Sequence, residues 1–456
     1  MTPTHLSKPA LTMSRIIQTW WPLAASWLLM ALEGPAQSIV VARLADPEIH
    51  LAAYGSVVFS LALIIEAPII MLLSASTALC KDWDSYAKIY RFMMRLSAAL
   101  TVLHLLVALT PLYFVVVRNI IGAPEEVIGP ARIGLIIMTP WTWAIAYRRF
   151  QQGVLIRFGH SGAVGTGTIV RLAANVVVLA IGYQIGTLPG TVVATTATAI
   201  GVTSEAIYAG LRVRPVLKNQ LKTAPRVEPP LTFHAFMSFY IPLVMTSLLG
   251  MLGRPIISAG LSRMANPLQS LAVWPVVSNF SFLFSSLGIA YNEVVVALMD
   301  EPGAVRGLRR FAGWLTAGGT LLICLVALTP LSGLWFHQLV GLSQELTPLA
   351  SNALRFLIVM PALNVLVSWF QGTILHGRRT RGITEAVVVY LIIIAGILVG
   401  GVALGRETTG LYIGMTAVAL AASAQTAWLW VRSRPAMRAI QAREADSFEQ
   451  AEVTAR

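Results

Sequence analysis

Residues 22–47 read PLAASWLLMALEGPAQSIVVARLADP, and residues 242–267 read PLVMTSLLGMLGRPIISAGLSRMANP. Both stretches carry two prolines, an arginine and a closing tetrad at positions 220 apart: Pro22/Pro242, Pro35/Pro255, Arg43/Arg263 and 44–47/264–267. Residues 107–112 recur as 326–331, and Gln152-Gly153 recurs as Gln371-Gly372, both at an offset of 219. An apolar chain that repeats over such a length predicts a duplicated membrane unit, which is typical of transporters.

The composition indicates that the chain lies in a lipid bilayer. Of its 456 residues, 56% are hydrophobic and only 12% are charged, which is too few charges for a water-soluble protein of this length. Apolar runs long enough to span the bilayer begin near residues 20, 52, 95, 133, 162, 190, 237, 270, 311, 350, 383 and 410. The sequence therefore predicts an all-α polytopic membrane protein with twelve transmembrane helices in two six-helix lobes. Because six is even, both lobes enter the membrane in the same direction and are related by a pseudo-two-fold axis along the membrane normal.

The basic residues predict the topology. Of the 33 Lys and Arg, 25 fall in segments assigned to one side of the membrane, five on the other side and three within helices. This bias predicts a multi-pass protein of the cytoplasmic (inner) membrane with both termini in the cytoplasm. The expected organisation is a cytoplasmic N-terminus (1–19), an N-lobe (20–211), a cytoplasmic linker (212–234), a C-lobe (235–432) and a cytoplasmic tail (433–456).

The same features exclude several classes of function. No segment outside the predicted helices is long enough to form a basic domain, so the net charge of +13 reflects topology rather than nucleic-acid binding. The chain has only two cysteines, and no metal-ligand spacing, nucleotide-binding loop or catalytic cluster occurs in it. We therefore expect neither an enzyme nor a bound metal or cofactor. The expected partners are the bilayer, a small-molecule or lipid-linked substrate and a coupling ion (H⁺ or Na⁺), in a monomer whose cleft lies within one chain.

Polar residues inside the apolar helices are the candidates for function, because an ionisable group at mid-bilayer is costly and tends to face a partner or a wet cavity. Glu33 on helix 1 and Glu66 on helix 2 each stand two positions before a proline, Pro35 and Pro68. Each proline is expected to kink its helix and to leave a carbonyl exposed one turn back. A carboxylate beside such a carbonyl predicts a proton or cation site, and the alternative is a structural kink with a paired carboxylate. The remaining polar candidates, which either line a cavity or bridge helices, are Gln37, Asn279, Asn292 and Glu293.

Arg254-Pro255 on helix 7 is the repeat counterpart of Gly34-Pro35 and lies one position away from the counterpart of Glu33. Helices 1 and 7 therefore present a carboxylate and a guanidinium at equivalent depths, with Pro255 as a further kink. If these helices face each other across a cleft, Glu33 and Arg254 form a gate or bind opposite ends of a charged substrate. The alternative is a static ion pair that joins the lobes.

Two further polar residues, Arg171 on helix 5 and His104 on helix 3, are interpreted as structural, with a functional role as the alternative. Arg171 is interpreted as packing within the N-lobe, with Glu205 as its expected partner, ahead of substrate contact. His104 is interpreted as a core histidine with its hydrogen bonds satisfied, and the alternative is a proton relay.

The arrangement of two parallel six-helix repeats, a basic linker after helix 6 and polar residues on helices 1, 2, 7 and 8 resembles the multidrug/oligosaccharidyl-lipid/polysaccharide (MOP) exporter superfamily, in its MATE branch. The local sequence is similar to progressive ankylosis (ANK)-type transporters. The residues that carry this similarity are Pro22-Leu23, Glu33, 51–55, 59–61, Pro242-Leu243, Arg254-Pro255-Ile256 and Leu261-Ser262-Arg263.

The resemblance implies a secondary-active exporter that works by alternating access on a small, charged organic solute. ANK-type similarity implies an anion such as pyrophosphate or citrate. A flippase for a lipid-linked saccharide precursor and a drug/cation antiporter are the alternatives within the superfamily. Helix 8 carries Asn292 and Glu293 rather than a second buried arginine. Arg254 is then the only deep cation expected in the cleft, which weighs against a strictly anionic substrate.

Overall fold

The computed structural model describes residues 11–377, 381–404 and 408–455, with only the backbone described for residue 404 and residues 443–455. Several residues used in the topology prediction therefore lie outside the described residues, namely Lys8, residues 378–380, Arg406 and the side chains at the end of the tail.

Twelve long helices, α1–α12, correspond in order to the twelve predicted helices. Their bounds are Met13–Val41, Pro47–Leu79, Trp83–Leu109, Glu125–Ile137 with Thr139–Arg157 as two parts of α4, Gly162–Ile185, Gly190–Leu221, Phe233–Leu261, Pro267–Leu298, Ala304–Ala327, Leu346–His376, Arg381–Leu404 and Gly410–Ala455. Ten of these helices are long and apolar enough to cross a membrane. The other two are α4, which is broken at Met138, and α12, which continues into the polar tail. The predicted all-α fold of two six-helix lobes is confirmed.

Two short helices connect spanning helices at matching places in the lobes. Leu112–Ile121 joins α3 to α4, and Leu331–Gly333 followed by Leu334–Val340 joins α9 to α10. Each ends at a glycine in the left-handed region, with φ of 75° at Gly122 and 91° at Gly341, a conformation that glycine adopts without steric cost. We call the membrane face that bears these short helices the hairpin side, and the face that bears the segment between α6 and α7 the linker side.

The repeated arginines join the two lobes on the hairpin side. Arg43 at the end of α1 donates to the carbonyls of Gln338, Leu339 and Val340 at 2.9, 2.6 and 2.7 Å. Arg263 at the end of α7 donates to the carbonyls of Asn119, Ile120 and Ile121 at 2.9, 2.8 and 2.8 Å. Both guanidiniums thus satisfy the last carbonyls of a short helix in the opposite lobe, which have no partner within the helix. We call these two contacts the arginine latches.

The repeated Gln-Gly pairs mark close helix crossings. A Cβ atom at Gly153 on α4 would overlap the Ser76 hydroxyl and the Leu73 carbonyl of α2. A Cβ atom at Gly372 on α10 would lie 2.6 Å from Val295 Cγ1 on α8. Glycine therefore allows the same pair of helices to approach closely in each lobe.

The structure changes the expected ends of several helices. Residues 148–157, whose arginines count among the 25 basic residues assigned to the cytoplasmic side, are helical and complete α4, so that Arg148 is buried within the N-lobe. Helix α3 begins at Trp83 instead of near residue 95, because Asp82 and Ser85 form a capping box at its start. Helix α6 extends to Leu221 and α7 begins at Phe233, both inside the predicted linker. The boundaries of the predicted lobes, linker and tail stay predictions.

The non-helical part of the linker is held against the start of α3. The backbone N–H of Val227 donates to Asp82 Oδ2 at 2.9 Å, and Lys88 Nζ donates to the Leu231 carbonyl at 3.1 Å. Burial acts to raise the pKa of Asp82, but hydrogen bonds from Ser85 and Val227 together with the charge of Lys88 hold this pKa below its usual range. The ionised carboxylate of Asp82 therefore holds the linker against the start of α3.

Candidate functional site

A cavity of about 280 Å³ lies between the lobes. Its walls come from α1, α2, α4, α5 and α6 of the N-lobe and from α7 and α8 of the C-lobe. Aromatic rings of Phe59, Trp141 and Trp274 form part of the wall. The polar side chains in its lining include Glu33, Gln37, Tyr54, Arg171, Thr198, Arg254 and Asn279.

Glu33 is held from the N-lobe side of the cavity. Its Oε2 lies 3.1 Å from Arg171 Nη2 on α5, and its Oε1 accepts a hydrogen bond from Asn175 Nδ2 at 3.2 Å. Arg171 Nε lies 3.7 Å from Glu205 Oε2 on α6. The expected contact between Arg171 and Glu205 is therefore present, but Arg171 also pairs with Glu33 and lines the cavity.

Behind the cavity wall the chain of charges continues into the N-lobe. Glu205 is fully buried, pairs through Oε2 with Arg148 Nη1 and accepts a hydrogen bond from Gln152 at 2.9 Å through Oε1. Carboxylates and guanidiniums thus alternate from Glu33 through Arg171 and Glu205 to Arg148. Buried charges are tolerated when they are paired in this way, and removal of one member leaves its neighbour uncompensated.

Three neutral side chains fix another part of the wall. The Tyr54 hydroxyl donates to Gln37 Oε1 at 2.7 Å, and Gln37 Nε2 donates to Thr198 Oγ1 at 2.8 Å. Tyr54 and Thr198 are also in contact through their hydroxyls, at 2.8 Å. The ring of three bonds holds α1, α2 and α6 together and orients the polar atoms of the wall.

Arg254 lies on the C-lobe side of the cavity. Its side chain is exposed, and its Cζ lies 5.4 Å from the centroid of the Phe59 ring, a cation–π distance. No carboxylate among the described residues forms an ion pair with Arg254. The hypothesis of a Glu33–Arg254 ion pair is therefore not met in this structure, although both residues line the same cavity. The expectation that Arg254 would be the only deep cation is wrong, because Arg171 is the second guanidinium on the wall.

The other predicted candidates are distributed differently. Gln37 and Asn279 line the cavity, and a Cβ atom at Gly34 would lie only 2.5 Å from Asn279 Cγ, so α1 and α8 are in close contact there. Asn292 donates to the Ser368 carbonyl at 3.2 Å and bridges α8 to α10, whereas Glu293 is exposed.

Glu66 is fully buried within the N-lobe and does not line the cavity. The three prolines expected as hinges, Pro35, Pro68 and Pro255, lie inside helices. Their role as hinges stays a prediction.

Sequence reasoning missed Arg148, Tyr54 and Thr198 as members of the site and its support. Arg148 lies one helical turn before the repeated Gln152 and therefore on the same helix face, which could have identified it as a buried residue. It was overlooked because Arg148-Arg149 interrupt the apolar run and therefore suggest the end of a helix. Nothing in the local sequence distinguishes Tyr54 or Thr198 from packing residues.

Comparisons with known proteins agree with this architecture. No protein-family model and no curated protein sequence matches the chain. Among solved structures, the chain is similar to the inward-facing conformation of a multidrug resistance MATE family transporter of the MOP superfamily. That similarity has 15% identity and a TM-score of 0.66, and covers 91% of this chain and 99% of that one.

Two further solved structures have comparable similarity. The outward-facing conformation of a multidrug resistance MATE family transporter has 16% identity and a TM-score of 0.60, over 94% of this chain and 96% of that one. A MOP superfamily transporter from Pyrococcus furiosus, described as having a binding pocket of reverse polarity that suggests a different function, has 16% identity and a TM-score of 0.62. It covers 95% of this chain and 97% of that one. At these identities the comparisons establish the fold alone: the chain has a fold similar to that of these transporters.

Proposed function

We propose that this protein is a secondary-active exporter that moves a small carboxylate or phosphate anion across the cytoplasmic membrane by alternating access of its two lobes. The observation that carries the proposal is the charge of the central cavity. Its wall bears two guanidiniums, Arg171 and Arg254, against one carboxylate, Glu33. Because Glu33 is already paired with Arg171, the charge left for a ligand is that of Arg254.

An anion that reaches Arg254 gains a charge-assisted hydrogen bond, which is stronger than a hydrogen bond between neutral groups. Arginine presents its donors in a planar fork that matches a carboxylate or a phosphate. The aromatic wall excludes water around the bound group, and the Gln37–Tyr54–Thr198 ring offers further polar atoms. Citrate and pyrophosphate have this chemistry and are the anions that we propose to test.

The cavity is closed on the hairpin side, as expected for one state of a transporter that works by alternating access. Both arginine latches lie on the hairpin side, and a Cβ atom at Gly55 on α2 would lie 2.5 Å from Pro275 Cβ on α8. The chain also superposes better on the inward-facing transporter than on the outward-facing one. With the basic linker side in the cytoplasm, this state would receive its substrate from the cytoplasm, and breaking the latches would release it on the hairpin side.

A drug/cation antiporter is the second candidate, favoured by the aromatic wall and by Glu33. It is the weaker candidate because Arg171 and Asn175 already occupy both carboxylate oxygens of Glu33. A flippase is disfavoured because a cavity of about 280 Å³ lies at the small end of ligand sites and suits a small solute better than a lipid-linked saccharide.

Uptake into proteoliposomes would test the proposal. We would reconstitute the full chain and compare uptake of radiolabelled citrate, radiolabelled pyrophosphate and the cationic dye ethidium. Wild type should take up at least one of the two anions. Arg254→Ala should lower that uptake about tenfold or more, and Arg254→Lys should lower it less, because a point charge without the fork remains.

Arg309→Ala is the matched control, since it removes an arginine outside the central cavity. It should leave anion uptake near the wild-type rate. Uptake of ethidium without either anion would replace the anion proposal by cation antiport. Unchanged anion uptake in Arg254→Ala would remove Arg254 from the site.

A further inference from the structure

A second polar cluster lies inside the N-lobe and outside the central cavity. Glu66 on α2, Thr142 on α4 and His104 on α3 are each fully buried. None of the three lines the cavity. The network of Glu33, Arg171, Glu205 and Arg148 does not use them either. A buried carboxylic acid and a buried imidazole outside the site already described need their own explanation.

The three side chains form a continuous chain of hydrogen bonds. Glu66 Oε1 lies 3.4 Å from Thr142 Oγ1, and Thr142 Oγ1 lies 3.0 Å from His104 Nδ1. His104 Nε2 lies 2.8 Å from the Leu135 carbonyl oxygen. Leu135 is in the last turn of the first part of α4, whose final carbonyls lack partners within that helix because α4 is broken at Met138.

The chemistry of these atoms limits where the hydrogens can be. A carbonyl oxygen only accepts, so His104 Nε2 must carry a hydrogen. Thr142 has a single hydroxyl hydrogen but contacts both Glu66 and His104. Whichever neighbour receives that hydrogen, the other neighbour must donate to Thr142.

Two arrangements without net charge satisfy this condition. If Thr142 donates to Nδ1 of a neutral His104, then Glu66 is a protonated acid that donates to Thr142. If Thr142 donates to an ionised Glu66, then Nδ1 of His104 carries a hydrogen and the ring is an imidazolium. The first becomes the second when the Glu66 O–H bond breaks as Thr142 gains that proton, and Thr142 gives its own hydrogen to Nδ1. Both arrangements hold one proton and have no net charge.

We propose that Glu66, Thr142 and His104 form a binding site for one proton, which Thr142 passes between the carboxyl group and the imidazole. Without this proton, an ionised Glu66 would face a neutral histidine, and an uncompensated charge would be buried in a low-dielectric region. Glu66 Oε2 is buried and has no hydrogen-bond partner, which disfavours a permanently ionised carboxylate. The inference goes beyond the proposed function, because it assigns a proton site outside the central cavity and does not depend on which solute is transported.

The other ionisable groups on the helices packed against this site do not replace the proton. Arg148, on α4, is paired with Glu205, and the Tyr240 hydroxyl, on α7, donates to the Pro68 carbonyl at 2.6 Å. The remaining arginines on these two helices are Arg132, Arg149 and Arg157 on α4 and Arg254 on α7, and none of them forms an ion pair with Glu66 among the described residues. The shared proton is therefore the compensating charge that the geometry supplies.

The site belongs to one lobe only. In the repeat, the positions that correspond to Glu66 and His104 are Ser286 and Ile323. The arginine latches and the Gln-Gly crossings, by contrast, are present in both lobes.

Spectroscopy on the full chain in lipid nanodiscs, without substrate, tests the proposal. Infrared difference spectra report the C=O stretch of a protonated carboxylic acid, and ¹⁵N NMR reports the protonation of His104. At neutral pH we expect one of two complementary results. Either a carboxylic-acid band is present and lost in Glu66→Gln, with His104 neutral and protonated at Nε2, or the band is absent and His104 is doubly protonated. An absent band together with a neutral His104 would overturn the proposal, as would a band that persists in Glu66→Gln with a neutral His104.

Conservative variants of Thr142 keep the test valid if Glu66→Gln does not fold. Thr142→Ser keeps the hydroxyl and should preserve the wild-type spectra. Thr142→Val keeps the shape, removes the hydroxyl and should shift the Glu66 band or the His104 nitrogen signals. Identical spectra in both variants would contradict the relay. No transported solute enters these measurements. Failure of anion uptake would therefore reject the anion proposal without affecting the proton site. Failure of the spectroscopic test would reject the proton site without affecting the anion proposal.

Discussion

The N-lobe and the C-lobe share their framework but not their polar interior. Both have a short helix on the hairpin side, an arginine latch and a Gln-Gly crossing. Among the residues that the structure describes, the chain of buried charges is confined to the N-lobe. The positions that correspond to Glu33, Arg171 and Glu205 are occupied in the C-lobe by Gly253, Tyr390 and Gln425.

Under the proposed function, the shared parts of the lobes serve movement and the parts that differ serve the ligand. The same helices meet in both lobes, since a Cβ atom at Gly253 on α7 would lie 3.5 Å from the Tyr390 ring on α11. At that crossing the N-lobe has an ion pair, whereas the C-lobe has an aromatic ring and an exposed Arg254. We infer that the shared elements guide the motion of the lobes and that the differences between the lobes select the substrate.

The largest effect is expected when the charged interior of the N-lobe is broken. Arg148→Ala should lower the free energy of unfolding by about 3–5 kcal/mol, because it leaves the buried Glu205 carboxylate without its close partner. Gln425→Ala, at the C-lobe position that corresponds to Glu205, is the matched control and should cost about 1 kcal/mol or less. Thermal unfolding in detergent would measure both. Equal losses would mean that the N-lobe interior has no special energetic role.

A smaller difference is expected between the two Gln-Gly crossings. Gly153→Ala should cost about 3 kcal/mol, because the added methyl group meets the backbone carbonyl of Leu73, which cannot move without distorting α2. Gly372→Ala should cost roughly 1–2 kcal/mol, because its nearest contact is the side chain of Val295. The same unfolding measurement would rank the two variants. A greater loss in Gly372→Ala would contradict the inference that contact with the Leu73 carbonyl makes Gly153→Ala the more costly change.

The arginine latches should respond equally, since each makes three bonds to the opposite lobe. Arg43→Ala and Arg263→Ala should each weaken the closed hairpin side by about 2 kcal/mol, as estimated for hydrogen bonds of a charged donor. That energy corresponds to a roughly 30-fold shift toward open conformations. Spin labels at the exposed positions Val115 and Leu334, in a background without Cys80 and Cys324, would report the distance between the two short helices.

Arg43→Lys is the control for the latches and should have an intermediate effect, because an ammonium cannot reach three carbonyls at once. If only one of the two alanine variants opens the hairpin side, the latches are not equivalent.

The smallest effect is expected at the anchor of the linker. Asp82→Ala should cost about 1 kcal/mol, a typical value for an N-cap carboxylate. Because the pKa of Asp82 is held below its usual value in the folded state, its contribution is complete above about pH 4 and is lost as the pH falls below that value. Glu301 at the corresponding C-lobe position lies 3.8 Å from Arg15 and is more exposed, so Glu301→Ala should have less effect. Unfolding between pH 3 and pH 7 would show whether Asp82→Ala removes this acid sensitivity.

The fold was accessible from the sequence because membrane insertion depends on linear properties. The length of the apolar runs gave the number and order of the helices, and the equal offsets of Pro22/Pro242 and Arg43/Arg263 predicted the repeated lobes. The sequence also placed Glu33 and Arg254 at equivalent depths and named Gln37 and Asn279 as residues that either line a cavity or bridge helices. It misjudged α4, because Arg148-Arg149 have the composition of a loop when their buried partner Glu205 is not seen.

By itself the sequence determined a twelve-helix, internally repeated membrane protein with its acids and arginines in the apolar helices, because hydrophobicity, length and repetition are local or periodic properties. Only the tertiary structure decided that Glu33 pairs with Arg171 rather than Arg254. It also decided that Arg43 and Arg263 each bind a short helix of the opposite lobe, and that Thr142 connects Glu66 to His104. These pairings join residues far apart in the chain, and they depend on how each helix is rotated about its axis in the packed lobe. Helix rotation is set by the summed packing of all neighbours, which no single segment of sequence contains.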